Sequence, residues 1–258
     1  MFEFVAGNSV SFFESSFMAK QGVKAIITSR NDKFINEKKF KTNLYNQFNL
    51  NYKEIIQPQQ VHSSAVLILK NEKFYNKNQP IAADAVITNI DNFTLQALFA
   101  DCVPIFYFHR ESGLRALVHS GWRGTGKSIA AAVLQQVKLY YDVNIKDIYV
   151  TIGPAISQKH YEVDNQVYKY FRKYSPELLL NYEDRIFRNS DVNFEKYYLD
   201  LKMANYYILL QAGVDPEKIY VSDSCTYSNP RFCSYRREGE QTGRMIALLM
   251  SEEVQRMK

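Results

Sequence analysis

The sequence predicts a mixed α/β fold of the α+β class, built from packed layers of helix and sheet. Short β-prone runs dominate the first half of the 258 residues, and helical periodicity follows in the second half. A hydrophobic fraction of 46% is enough for a sizeable core. No repeat, low-complexity tract or Pro/Gly/Ser-rich linker divides the chain, so residues 1–258 are predicted to form a single domain.

Six strands are predicted in the first half, each a short run rich in β-branched or aromatic residues. Several of these runs are too continuously apolar to be half-exposed strands, so we expect sheets that are covered on both faces. The runs are VKAIIT from Val23, AVLIL from Ala65, DAVIT from Asp84, LQALFA from Leu95, VPIFYF from Val103 and LRALVH from Leu114.

Four helices are predicted from a helical apolar period, with the strands IYVTIG from Ile148 and KIYVSD from Lys218 between them. Gly213 stands where a C′ glycine would end the third helix, and Ser128 is placed to cap the first. The helical runs are SIAAAVLQQVKLYY from Ser128, NQVYKYFRKY from Asn165, LDLKMANYYILLQAG from Leu199 and TGRMIALLMSEEVQRM from Thr242.

Charge and composition exclude several classes of protein. The net charge of +5 is modest and the basic residues are scattered, apart from Lys38, Lys39 and Lys41, so we expect no nucleic-acid partner. No run reaches the roughly 18 apolar residues that span a bilayer, and the N-terminus does not read as a signal peptide. Three cysteines are typical of a reducing compartment, so a cytoplasmic location is expected.

Three possible metal ligands lie at strand ends. His62 follows QPQQV, Cys102 lies in LFADCVPI between two strands, and His119 ends the run ALVH. Thiolate and imidazole are ligands that zinc prefers, and three protein ligands with one open position are typical of catalytic zinc sites. The spacing leaves two other interpretations open: Cys102 as a small buried hydrophobe, or Cys102 as a nucleophile with His119 as its base.

Asp84 and Asp101 are the acid/base candidates of the sequence. Either could instead accept a hydrogen bond that fixes a histidine tautomer, or could cap a turn.

The segment from Gly121 to Ser128, GWRGTGKS, fits the P-loop pattern and lies between a predicted strand and a predicted helix. Against an ATPase, it lies near mid-chain, and no apolar strand ending in Asp follows it. The alternative is a Gly-rich turn around Gly121, Arg123 and Gly124 whose backbone N–H groups bind phosphate or another anion, or a turn with no ligand.

Three arginines are further candidates for binding phosphate or carboxylate. Arg236 and Arg237 lie in CSYRREGEQTGRM, and Arg30 closes the strand run VKAIITSR. Arginine binds such anions through two parallel hydrogen bonds, although an arginine on a surface loop is more often only solvated.

Eight strings, read in order, resemble the laccase-domain family, also called multicopper polyphenol oxidoreductases and now regarded as purine nucleoside phosphorylases. The resemblance runs from about Val23 to the C-terminus. It implies that the metal ligands are His62, Cys102 and His119, with Zn²⁺ as the first candidate metal and Cu²⁺ as the second. The strings are QPQQVH, ADAVIT, ADCVPI, VHSGWRGT, IGPAI, HYEV, LDLKMAN and SYRREGEQTGRM.

The resemblance also implies a fold and an activity. The fold is a single four-layer α/β/β/α domain similar to a bacterial toxin domain with a Cys/His pair. The activity is phosphorolysis of adenosine, inosine, guanosine and methylthioadenosine, with deamination of adenosine, so the partners would be purine nucleosides and phosphate. Alternatives are a muramoyl-peptide hydrolase that edits cell-wall precursors through Cys102, a single-copper polyphenol oxidase, and a metal-binding module without activity.

Three further points qualify the resemblance. Ala155 replaces the cysteine of the usual IGPCI string, a change we expect metal binding to survive. The string NDKFINEKKFKTNLY after Arg30 replaces the family's Gly-rich strings, which bears on substrate preference. A multicopper oxidase would need about eight further histidines for its copper cluster, and the chain has four in all.

Overall fold

The computed structural model describes residues 1–30, 37–70, 79–190 and 195–251. Fifteen strands are found within these ranges. In chain order they are β1 (Phe2–Val5), β2 (Phe12–Ser15), β3 (Val23–Thr28), β4 (Ile55–Ile56), β5 (Val66–Leu69), β6 (Ala85–Thr88), β7 (Thr94–Phe99), β8 (Val103–His109), β9 (Leu114–Ser120), β10 (Tyr149–Ile152), β11 (Glu162–Asp164), β12 (Phe187–Asn189), β13 (Lys196–Leu199), β14 (Ile219–Val221) and β15 (Met245–Ser251).

Eight α-helices accompany these strands in the described ranges. They are α1 (Ser16–Ala19), α2 (Glu37–Gln47), α3 (Trp122–Gly126), α4 (Ile129–Tyr140), α5 (Asn165–Tyr174), α6 (Pro176–Ile186), α7 (Leu201–Gln211) and α8 (Tyr235–Glu238). None of the described helices is long and apolar enough to cross a membrane.

The strands form two six-stranded mixed sheets and one small antiparallel sheet. The first large sheet has the order β1-β2-β3-β15-β7-β4, and the second has the order β14-β10-β8-β9-β6-β5. The small sheet has the order β11-β13-β12. Two connections cross from the first large sheet to the second: β4 leads into β5, and β7 leads into β8.

Three hydrophobic clusters separate four layers. One cluster fills the space between the large sheets, with Ile27 and Leu95 from the first sheet and Leu117 from the second. A second cluster joins the outer face of the first sheet to α2, and a third joins the outer face of the second sheet to α4, α5, α6 and α7. The order is therefore helix, sheet, sheet, helices, and the predicted mixed α/β fold is confirmed.

The six predicted strands of the first half are all present, and so are the strands around Ile148 and Lys218. The predicted helices from Ser128, Asn165 and Leu199 correspond to α4, α5 and α7. Gly213 follows α7 with φ of 93°, a left-handed conformation that favours glycine, as predicted. Ser128 precedes α4, but its side chain forms no cap and pairs with the Ser175 hydroxyl at 3.0 Å.

The predicted helix from Thr242 is wrong. The run MIALLMS forms β15, which pairs with β3 on one side and with β7 on the other. Its alternate side chains enter different cores, because Met245, Ala247 and Leu249 lie between the sheets while Ile246, Leu248 and Met250 face α2. A strand that is buried on both faces gives a continuous apolar run, which carries no periodicity to distinguish it from a buried helix. The end of that predicted helix, 252–257, lies outside the described residues.

Candidate metal centre

The three predicted ligands come together at one point. His62 lies on the connection from β4 to β5, Cys102 on the connection from β7 to β8, and His119 near the end of β9. The ligand atoms of the three side chains all lie within 4.8 Å of one another. His62 is exposed, Cys102 is partly buried and His119 is buried, so one side of the cluster faces solvent.

The Asp84 carboxylate, just before β6, holds both histidines in place. Its Oδ1 atom lies 2.9 Å from Nδ1 of His119 and accepts the backbone N–H of His62 at 3.0 Å. Its Oδ2 atom accepts the backbone N–H groups of Val61 and Ser63 and the hydroxyl of Ser63. Because Nδ1 of His119 faces a carboxylate, Nε2 of that ring is left for the cluster, a common arrangement of metal-binding histidine.

One residue of the cluster and one neighbour of the cluster have left-handed backbones. His62 has φ of 57°, and Asp101, next to Cys102, has φ of 78°. Non-glycine residues in this region carry a conformational cost and are concentrated at functional sites. The hydrogen bonds of Asp84 to the N–H groups around His62 support the first of these conformations.

The thiol of Cys102 is acidic in this setting. Burial alone would raise its pKa, but the charge and hydrogen bond of His119, together with those of His62, outweigh burial and lower the pKa to about 6. Burial likewise opposes protonation of His119, but Cys102 and Asp84 outweigh it and raise the pKa of the imidazole to about 9. The protein without metal therefore favours a thiolate and an imidazolium at neutral pH.

The donor set and the space around it fit a metal ion. One thiolate and two imidazoles suit zinc or copper and leave a position open for water or substrate. Gly121 leaves the space that such a site needs, since a Cβ atom there would lie 3.0 Å from Sγ of Cys102 and 3.2 Å from Cδ2 of His62. The other two histidines lie elsewhere: His109 pairs with Ser112, and His160 stacks on Tyr227.

Asp101 forms no hydrogen bond with a histidine among the described residues. Its carboxylate accepts the hydroxyls of Thr226 and Ser234 at 2.6 and 3.0 Å and the backbone N–H of Arg236 at 2.7 Å. The residue thus ties the segment around α8 to the connection that carries Cys102. Of the two aspartates predicted as histidine partners, only Asp84 has that position.

The predicted Gly-rich turn forms the short helix α3, with Gly121 as its N-cap. The N–H groups of Thr125, Lys127 and Ser128 donate to carbonyls inside the segment, which is therefore a helical turn and not an open P-loop. Gly124 is a packing position, because a Cβ atom would lie 3.0 Å from the carbonyl oxygen of Ser63. The side chain of Lys127 lies over the ring of Tyr174.

The four candidate arginines have different surroundings. All five N–H groups of the Arg237 guanidinium are used by Glu238 and by the carbonyls of Thr226, Tyr227 and Phe232, so Arg237 has none left for a phosphate. Arg30 donates to the same Glu238 carboxylate at 2.7 Å.

Arg123 and Arg236 are exposed. The guanidinium of Arg123 lies 4.1 Å from the ring of Trp122, and that of Arg236 lies 5.0 Å from the ring of Tyr161. Sequence reasoning did not predict that Tyr161, which lies in the HYEV string beside His160, would contact Arg236. The predicted change of specificity after Arg30 falls partly on residues 31–36, outside the described residues.

Comparisons with known proteins give the family to which the chain belongs. The family model described as multi-copper polyphenol oxidoreductase laccase matches residues 27–252. The purine nucleoside phosphorylase YlmD of Bacillus subtilis is 37% identical over 175 residues, which cover 67% of this chain and 60% of that protein. The adenosine deaminase RL5 of an unknown prokaryotic organism is 31% identical over 205 residues, 77% of this chain and 75% of its own.

Solved structures share the whole fold. YlmD of Geobacillus stearothermophilus superposes with a TM-score of 0.81 at 25% identity and covers 97% of this chain and 99% of its own. A hypothetical protein YfiH of Bacillus licheniformis superposes equally well at 24% identity, covering 96% and 98% of the two chains, which shows a shared fold alone. The match to the family model covers well over half of the chain, including the whole second large sheet and all three residues of the cluster, so the chain belongs to the multi-copper polyphenol oxidoreductase laccase family.

Proposed function

We propose that this chain is a metal-dependent purine nucleoside phosphorylase that also deaminates adenosine. The observation that carries the proposal is the cluster of His62, Cys102 and His119, with its open solvent side, in a chain 37% identical to a named purine nucleoside phosphorylase. A deaminase among the relatives supports the second activity. Zinc is the proposed metal and copper the alternative, because both accept this donor set.

In this proposal the chain's own residues prepare the site. Asp84 holds His119 in the tautomer whose Nε2 faces the cluster, and the low pKa of Cys102 keeps its sulfur in the thiolate form at neutral pH. Gly121 keeps the space above Cys102 and His62 free of side-chain atoms. A bound zinc ion would supply Lewis-acid chemistry for activating water or neutralising a leaving group.

Phosphorolysis needs a phosphate held beside the nucleoside, and two of the predicted arginines are suited to that role. Arg123 follows Gly121 by two residues, and the backbone of Arg236 is fixed by Asp101, the neighbour of Cys102. Within the described ranges neither guanidinium has a carboxylate within 4.0 Å. We propose that Arg123 and Arg236 bind phosphate and that Arg30 and Arg237 support the fold.

The test is an assay of the purified chain after removal of metal and reloading with Zn²⁺ or Cu²⁺. With adenosine and phosphate we expect ribose 1-phosphate and adenine, and without phosphate we expect inosine. His119→Ala should lose both activities and the metal, whereas His109→Ala, a histidine outside the cluster, should keep them. If the metal-loaded wild type gives none of the three products, the proposal is wrong.

A second candidate function rests on the contact of His119 with both Cys102 and Asp84. A thiol, an imidazole and a carboxylate in that order resemble the catalytic group of cysteine hydrolases, with Cys102 as nucleophile and His119 as base. The substrate would be a muramoyl-peptide precursor of the cell wall. Cleavage of such a peptide by metal-free protein, abolished by alkylation of Cys102, would favour this function over the first.

A further inference from the structure

Tyr161 has a rigid place between a 3₁₀ turn and β11. Its backbone N–H donates to the carbonyl of Gln158, and its carbonyl accepts the N–H of Leu199, both at 3.1 Å. The ring is partly buried against the core between the second sheet and the helices. The position of this side chain is therefore set by the fold.

Arg236 holds the ring from one face and connects it to the metal centre. Its guanidinium lies 5.0 Å from the ring centroid, and its Nη1 atom donates to the carbonyl of Glu162 at 2.9 Å. Its backbone N–H donates to Asp101, which precedes Cys102 in the chain. A continuous set of contacts thus runs from the candidate metal ligand to Tyr161.

The phenol group of Tyr161 lies among charges of the site. Burial raises its pKa, and the charges of Cys102, Arg236, Asp101 and Arg123 also act on it, in that order of size. The hydroxyl therefore stays protonated at neutral pH and lies within electrostatic range of both exposed arginines. The negative charge of Asp101 is already matched by three hydrogen-bond donors of the protein.

This hydroxyl forms no hydrogen bond with any residue that the structure describes. Other tyrosines of the chain have partners: Tyr107 donates to the carbonyl of Ala130, Tyr45 to the Gln96 side chain, and Tyr168 to Glu183. The side chain is only partly buried, and its hydroxyl is not one of the enclosed polar atoms that lack a partner, so this donor is open to solvent and to a ligand. A solvent-accessible donor on a ring that Arg236 covers, within electrostatic range of Arg123, suits a ligand that accepts hydrogen bonds and carries negative charge.

We propose that the Tyr161 hydroxyl is a substrate-binding group that donates a hydrogen bond to phosphate, as the third member of an anion site with Arg123 and Arg236. The inference rests on the proposed phosphorylase function and names a residue of that same site. The inference predicts different effects on the two proposed reactions, because phosphorolysis requires phosphate and deamination does not.

The test is Tyr161→Phe, which removes only the hydroxyl, compared with Tyr168→Phe as the matched control. We expect KM for phosphate to rise roughly 10- to 100-fold in Tyr161→Phe, the range for a hydrogen bond to a charged group. The KM for adenosine and the rate of phosphate-independent deamination should stay unchanged. Tyr168→Phe should behave as the wild type in both reactions.

Two outcomes would overturn the inference. If KM for phosphate is the same in Tyr161→Phe and the wild type, the hydroxyl does not bind phosphate. If deamination and phosphorolysis fall together, the hydroxyl supports the fold instead. Direct titration of the metal-loaded proteins with inorganic phosphate keeps the test separate from the proposed function: weaker binding in Tyr161→Phe supports the inference even if the wild type does not phosphorolyse nucleosides, and equal binding refutes it.

Discussion

Asp84 shows how one buried carboxylate can organise several parts of a site. It accepts hydrogen bonds from three successive backbone N–H groups at 61–63 and faces the imidazole of His119. Burial alone would raise the pKa of this carboxyl, but the hydrogen bonds from His119 and Ser63 outweigh it and lower the pKa to about 2. Asp84 therefore remains ionised across the physiological range, and His119 keeps a fixed orientation.

At the same scale, the acidity of Cys102 predicts a pH profile for the metal-free protein. Because the pKa is lowered from 9.0 to about 6, the thiolate is present above that pH and is lost as the pH falls below it. We expect alkylation of Cys102 by iodoacetamide to reach half its maximal rate near pH 6. In urea, where the contacts with His119 and His62 are lost, the midpoint should return towards 9.

Mass spectrometry of the Cys102 peptide separates this reaction from those of Cys225 and Cys233, which are also free thiols. Added zinc should protect Cys102, because the metal occupies the same sulfur. A midpoint near pH 9 in the folded, metal-free protein would contradict the geometry of the thiol between two imidazoles.

Sequence reasoning identified the three members of the cluster better than the residues around them. His62, Cys102 and His119 carry chemistry that few other residues can supply, so their types and their strand-end positions were informative. The role of Asp101 depends on Thr226 and Ser234, more than 100 residues further along the chain, and no local pattern reports such a contact. Tyr161 was missed for a similar reason, since an unpaired hydroxyl can be recognised only after its neighbours are known.

At the scale of elements, a buried polar network holds the turn that contains Gly121, beside the candidate metal centre. The amide of Asn205 on α7 donates to the hydroxyl of Thr125 on α3 and accepts the hydroxyl of Ser120 at the end of β9. The hydroxyls of Ser120 and Thr125 also pair with each other at 2.8 Å, and all three side chains are buried. This network determines where Gly121 lies relative to Cys102.

Asn205→Ala should therefore destabilise the protein by about 2 to 3 kcal/mol, because it creates a cavity and removes a hydrogen-bond partner from two buried hydroxyls. Urea unfolding measures this change in the free energy of unfolding. Asn181→Ala is the matched control, since Asn181 is exposed on α6 and bonds only a carbonyl of its own helix. Equal stabilities of the two variants would show that the network contributes little.

The helices with a clear apolar period were predicted well, whereas the apolar run that forms β15 was assigned to the wrong class. α5 has buried residues on one side and charges on the other, and its predicted bounds agree with the structure. β15 has apolar side chains on both faces, so its sequence resembles a buried helix as closely as a strand. The assignment of β15 depended on its two partners, β3 and β7, which lie far away in the chain.

At the scale of the whole molecule, we infer that the chain folds as one domain. The two large sheets share a common core, and α4 to α7 cover the outer face of the second sheet in one continuous cluster. We expect a single heat-capacity peak in calorimetry, with equal calorimetric and van't Hoff enthalpies. Two resolved transitions in the metal-free chain would show that the layers unfold separately and would contradict the inference.

The cluster lies where the chain crosses between the two large sheets, so a bound ion would also affect stability. His62 lies on the crossing from β4 to β5, Cys102 on the crossing from β7 to β8, and His119 on β9 of the second sheet. An ion bound by all three would act as a cross-link, holding the two connections to the sheet as a disulfide would in an oxidising environment. Binding that favours the folded state adds to its stability, so chelation would loosen this edge of the sandwich as well as remove its chemistry.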